Sequence, residues 1–120
     1  MRCAIIAFFL TCVTFAQTDI EIIQFSASFV KDNEIELKSF RYDSETIYMS
    51  DSKDKFNKYN IKYIPTIILF YNDEEYYRVE SGISLKLPDN SIELIENKIE
   101  EIIDSININV INCFIFKIYF

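Results

Sequence analysis

The 120-residue chain contains no histidine and no tryptophan, one glycine, two prolines and three cysteines. Without histidine it lacks the commonest general base and the commonest metal ligand. With Gly82 as the one glycine, no glycine-rich loop can cradle a phosphate. Basic charge is scarce: 12 Lys and Arg stand against 19 Asp and Glu, for a net charge of −7. That balance, with no basic stripe, argues against nucleic acid as a partner. No metal site and no cofactor is expected. The acidic run ENKIEEIID has no second acidic cluster to face it, so hydrolysis by paired carboxylates is not expected either. Its residues read as the solvated face of a helix.

What is present is apolar. Half of the residues are hydrophobic, enough for the core of one domain and too many for a disordered chain. Residues 1–16, MRCAIIAFFLTCVTFA, have the form of a secretory leader. Arg2 is its positive start, Cys3 to Val13 its apolar run, and Thr14 and Ala16 the small residues before a cleavage point. The run is short for a membrane span. Removing this leader takes Cys3 and Cys12 with it and leaves Cys113, which then has no internal disulfide partner. Its apolar neighbours suggest a buried, inert thiol.

Along the rest of the chain the elements follow one another without a linker or a repeat. DIEIIQFSA (19–27) reads as a buried strand. DNEIELKSF (32–40) has two readings. Asn33 and Glu36 have capping-box spacing, which favours a short helix, whereas Ile35 and Leu37 alternate with charges as in a strand; the helix is preferred. ETIYMS (45–50) is a strand candidate and DSKDKFNKYN (51–60) a short helix. YIPTIILFY (63–71) is the strongest strand signal, opened by Pro65 where no ladder bond is lost. NDE (72–74) turns it into EYYRVES (75–81) as a hairpin. In SIELIENKIEEIIDSI, Asn90 and Glu93 form a capping box. Ile92, Ile95, Ile99, Ile102, Ile103 and Ile106 make one helical face. The apolar tail, residues 106–120, leaves three fates open: an extra strand, a weak membrane contact, or a poorly ordered end.

This order of elements resembles the thioredoxin-like superfamily, and within it protein disulfide isomerase domains, over residues 19–105. The residues that carry the likeness are in KFNKYNIKYIPTIILFYNDEEYYRVESG. Tyr59 and Ile61 fall where the family has Tyr-Gly-Val/Ile, with Asn60 in place of the Gly. Ile64, Pro65 and Thr66 fall on its cis-proline loop, and Gly82 on the Gly that closes the hairpin. The resemblance implies an α/β fold: a central mixed sheet with flanking helices. Only residues 34–64 separate Asn33 from Pro65, so the first helix is expected to be shortened.

The family's active site reads Phe-Tyr-Ala-Pro-Trp-Cys-Gly-His-Cys. Laid on FSASFVKDN, Phe25 and Ala27 match and Phe29 takes the place of the Trp. The two cysteines fall on Val30 and Asn33, and the proton-transferring buried carboxylate falls on Gln24. Thiol–disulfide exchange needs an attacking thiolate and a second, resolving thiol. Val30 and Asn33 supply neither, and Gln24 does not titrate. The resemblance therefore implies a redox-inactive domain of the secretory pathway, in the endoplasmic reticulum lumen or secreted, with no catalytic residue. What it leaves is the peptide-binding mode of the proline loop, in which the backbone of Ile64 pairs with an extended chain. Phe29, Tyr63, Ile64, Pro65 and Thr66 are the expected binding residues, and unfolded or extended polypeptides the expected partners. Most of Tyr48, Tyr59, Tyr63, Tyr71, Tyr76 and Tyr77 read as core or hairpin pairs; Tyr59 and Tyr63 have a second reading as a rim for unfolded chains. Two other functions remain in view: thiol–disulfide exchange through Cys113 and a partner thiol, and a membrane-docked structural subunit held by the tail.

Overall fold

The structure, a computed structural model, describes residues 19–119. The expected leader lies outside them. Four strands form one sheet: β1 (Ile20–Ser26), β2 (Asp43–Tyr48), β3 (Thr66–Tyr71) and β4 (Glu74–Glu80), in the order β2-β1-β3-β4. β1 runs parallel to β2 and antiparallel to β3, and β3 pairs antiparallel with β4. The expected mixed sheet is present.

The two central strands are buried on both faces, which explains their continuous apolar composition. Ile20, Ile22, Ile67, Leu69 and Val79 point to one side. There they meet Ile95, Ile99 and Ile102 of α2 (Ser91–Tyr119). Ile23, Phe25, Ile68 and Phe70 point to the other side, together with Ile47, Ile64 and Phe56. Phe56 comes from α1 (Lys53–Lys58). Phe25 meets Phe56 edge-on at 5.2 Å between ring centroids, within the range where aromatic pairs attract.

Local chemistry explains where these elements stop. α1 is closed off by Asn60, two residues past its end, whose φ of 53° is left-handed. The Ile61 N–H reaches the Phe56 carbonyl at 2.9 Å and the Asn60 N–H reaches the Asn57 carbonyl at 3.2 Å. These are the two bonds of a Schellman ending, with Asn tolerating the position that Gly usually takes. The β3–β4 hairpin turns on Asn72 and Asp73, both with positive φ (52° and 65°). Two such residues fit a two-residue turn whose twist matches the strands. A register shift follows at Leu69/Phe70.

The segment between β1 and β2 departs from expectation. No α-helix spans 32–40. The chain instead makes two 3-10 turns, Ser28–Asn33 and Leu37–Ser39. Ala27 stands at the cap position of the first, with no side-chain cap bond, and Asn33 ends the turn instead of starting a helix. The physical reason lies in Gln24, 1% exposed within the core. Its Oε1 accepts the Ile35 N–H at 2.9 Å. Its Nε2 donates to the Ile35 carbonyl at 3.1 Å and to Thr46 Oγ1 at 3.2 Å. One side chain thus takes both backbone groups of Ile35, which a helix would need for itself. Leu37 and Phe40 then reach the core from an irregular backbone.

The tail also differs. α2 continues as one helix of 29 residues to Tyr119, so residues 106–119 form neither an extra strand nor an irregular end. After the packed half the helix leaves the sheet, and residues 107–118 are exposed throughout. Cys113 is exposed with them, not buried. Apolar neighbours in sequence did not bury it because the helix has run past the surface that covers its first turns.

Candidate functional site

The sheet register brings the candidate residues to one end of the molecule. Phe25, near the end of β1, pairs with Thr66, the first residue of β3, and Thr66 pairs with Glu80 near the end of β4. The chain enters β3 through Tyr63, Ile64 and Pro65, and the Ile64–Pro65 bond is cis. The loop is held from several sides. Thr66, fully buried, donates its hydroxyl proton to the Tyr63 carbonyl at 2.5 Å. The Ser81 N–H reaches the Pro65 carbonyl at 3.2 Å. From β4, Arg78 donates through Nη2 to the Tyr59 carbonyl at 2.6 Å and through Nη1 to the Asn60 carbonyl at 3.4 Å. Glu75 holds the same guanidinium at 2.5 Å.

Across the sheet end, residues 28–33 leave β1. Val30 is 3% exposed and shares one hydrophobic cluster with Ile64. Its φ of −115° and ψ of 18° interrupt the turn and drop its side chain into the core. Phe29, its neighbour, is 74% exposed. Asn33 donates its side-chain amide to the Leu85 carbonyl at 2.9 Å, which ties the turn to the loop after β4. Ile64 buries its side chain, yet among the described residues neither its N–H nor its carbonyl makes a backbone hydrogen bond. Backbone groups beside a packed core usually have partners.

These positions can recognise shape and backbone but cannot do redox chemistry. The three described residues where the resemblance puts reactive groups are an aliphatic side chain (Val30) and two amides (Asn33, Gln24), each amide engaged in hydrogen bonds. Among the described residues no group of side chains is arranged to hold a metal ion. A carboxylate does lie nearby: Glu34 Oε2 accepts the Tyr48 hydroxyl at 3.2 Å, while Oε1 is buried without a partner among the described residues. The bond to Glu34 is the first reason the Tyr48 phenol is pushed above its usual range; burial and the charges of Glu34 and Asp51 add to it. A groove of about 450 Å³ lies at the other end of the sheet, between Tyr71 and the overhang of α2, away from these residues.

No described protein family matches the chain, and no curated protein matches it. Solved structures do. Thioredoxin-2 of a malaria parasite, described as a component of its protein secretion machinery, aligns with a TM-score of 0.53 at 19% identity. The alignment covers 68% of this chain and 84% of that one. A thioredoxin of Plasmodium falciparum aligns with a TM-score of 0.53 at 21% identity, covering 74% of this chain and 78% of that one. The fold is thioredoxin-like.

Within that thioredoxin-like frame the tyrosines sort themselves. Tyr59 packs on Phe25 at 5.7 Å and on Phe70 at 5.1 Å and belongs to the core edge, not to an open rim. Tyr71 and Tyr76 pair edge-on at 6.5 Å across the hairpin. Tyr63 stays half-buried at the mouth of the loop. Sequence reasoning missed Arg78. Its spacing from Tyr59 is long, and its one local signal is the Glu75 three residues before it. It also missed the structural role of Gln24, whose partners are Ile35 and Thr46.

Proposed function

We propose that this chain is a redox-inactive, protein disulfide isomerase-like domain that binds extended or unfolded polypeptide in the secretory pathway. The observation that supports this reading is the Ile64 backbone, which makes no backbone hydrogen bond among the described residues while its side chain shares a cluster with Val30, the neighbour of the exposed Phe29. An extended chain laid along the loop would pair with the Ile64 N–H and carbonyl, as a strand pairs with a sheet edge. Phe29 would cover an apolar side chain of that peptide, with Tyr63 at the opposite margin. Recognition through main-chain bonds reads little sequence, which suits varied clients. The leader form of residues 1–16 is the reason for the secretory location.

The test uses the purified chain and a labelled, unstructured peptide rich in apolar residues. Binding by fluorescence anisotropy is expected, and Phe29→Ser is expected to weaken it about tenfold, the effect of losing roughly 1.4 kcal/mol. The melting temperature should stay unchanged, because Phe29 is exposed. Insulin reduction should not exceed the dithiothreitol background. Binding that ignores Phe29→Ser would defeat the proposal. Reductase turnover that disappears in Cys113→Ser would replace it with thiol exchange through that exposed cysteine.

A further inference from the structure

Past Ile106, α2 carries a second apolar pattern that the domain does not use. Ile108, Ile111, Ile115 and Ile118 recur at intervals of three, four and three. These are the a and d positions of two successive heptads, the spacing that keeps one seam toward a partner helix. The four are 58%, 56%, 47% and 64% exposed. Asn107, Asn112 and Phe114 flank the seam, and the nearest charge on that stripe is Asp104, one turn before Ile108. The helix itself is already nucleated by its packed half, which removes the usual obstacle to so short a seam.

Charge placement selects the occupant. A helix lying on a membrane surface wants a basic polar face. Lys117 is the one charged residue among 107–118, on a chain of net charge −7. Among the described residues no helix is long and apolar enough to cross a membrane. A second helix with the same seam meets neither objection. Glu93, Glu96, Glu100, Glu101 and Asp104 all lie in the packed half of α2, and Lys117 lies near its far end. A parallel pair would set two acidic halves side by side, whereas an antiparallel pair keeps them at opposite ends.

We propose that these four isoleucines form an antiparallel helix–helix interface with the same stripe of a second copy of this chain. Ile108 meets Ile118 of the second copy, Ile111 meets its Ile115, and the two-fold axis crosses the seam midway between Ile111 and Ile115. Such a patch is self-complementary, as a two-fold dimer requires. It would bury roughly 1,000 Å² in total, at the lower bound of a specific interface, so the dimer is weak and reversible.

Sedimentation of the full chain at about 50 µM, where a micromolar dimer is populated, is expected to give twice the chain mass. The double variant Ile111→Glu, Ile115→Glu should sediment as a monomer with an unchanged melting temperature, because neither side chain belongs to the domain core. Orientation is read by disulfide trapping. Two chains, one with Ile108→Cys and one with Ile118→Cys, each with its native cysteines changed to serine, are mixed and oxidised. Mixed disulfides are expected. A monomeric parent chain, a dimer that survives the double variant, or trapping of like with like alone would overturn the proposal. So would a parent chain that is monomeric but floats with neutral phosphatidylcholine vesicles.

Discussion

The substitution Gln24→Glu exchanges one atom type in the middle of the core and restores the carboxylate that the resemblance places there. In the native chain the amide makes three hydrogen bonds, and two of them need its N–H donors. The substituted carboxyl, while protonated, keeps the bond from the Ile35 N–H and can donate to one acceptor, losing one bond at a cost of about 1 kcal/mol. Once ionised it can donate to neither. It also faces the Ile35 carbonyl in a site where Gln24 is 1% exposed. A fully buried carboxyl without compensation rises by about 3–5 pKa units. The Ile35 N–H and a rotated Thr46 hydroxyl offset part of this, so a rise of roughly 2–3 units above the free value of about 4.3 is expected. Because the folded pKa lies above the unfolded one, the unfolded chain sheds its proton first as pH rises. Stability relative to the native chain then falls by about 1.4 kcal/mol per pH unit until the folded pKa is passed. Between pH 5.5 and 8 the gap between variant and native chain should widen by roughly 2 kcal/mol. The variant should lie about 4–5 kcal/mol below the native chain at pH 8, a large share of the roughly 5–15 kcal/mol typical of a domain. Urea unfolding followed by circular dichroism measures both gaps, at pH values above the isoelectric point of about 4.5. A gap that is the same at both pH values would refute the assignment of Gln24 as a buried, fully engaged amide.

Ile99→Ala should destabilise the chain by about 2–4 kcal/mol in the same assay, since Ile99 is 5% exposed where α2 meets the sheet and the cavity cannot collapse freely; a loss below about 0.5 kcal/mol would mean the helix is not docked there. Glu21 is raised above its ordinary value first by burial, then by Glu45, Asp19, Asp73 and Asp43. Its raised folded pKa makes its charge a burden at high pH that vanishes below the ordinary carboxylate range, so Glu21→Gln should raise the melting temperature at pH 8 and less so at pH 5. A gain that grew on acidification would contradict that cause.

The parts of the fold that were legible in the sequence are those where local preference and tertiary environment agree. YIPTIILFY could be read as a strand because β3 is buried on both faces and needs apolar residues at every position. The Asn-Asp pair at 72–73 announces its turn because few other residues accept positive φ twice in succession. Ile92 to Ile106 read as a helix because one face is docked. The segment 32–40 was not legible. Its apolar residues fit two periods, and the decision is made by Gln24, whose partner Ile35 stands eleven residues away. The tail misled for a similar reason. ININV alternates as a strand does, but no Gly or Pro stops the preceding helix, and an established helix propagates. The candidate site was legible in part: the resemblance named its positions, while the Arg78 clasp and the Asn33–Leu85 tether depend on contacts across the sheet end.

The connection after β1 also bears on what thiols placed there could do. An easily ionised thiol at such a place depends on the partial positive charge at the start of an α-helix. Here the chain offers a six-residue 3-10 turn, broken at Val30, and no α-helix behind it. Cysteines written in at 30 and 33 would stand as ordinary thiols, one of them sealed under the sheet. Giving this connection a reactive thiol pair would require building a helix and releasing Gln24 from Ile35, not merely two codons.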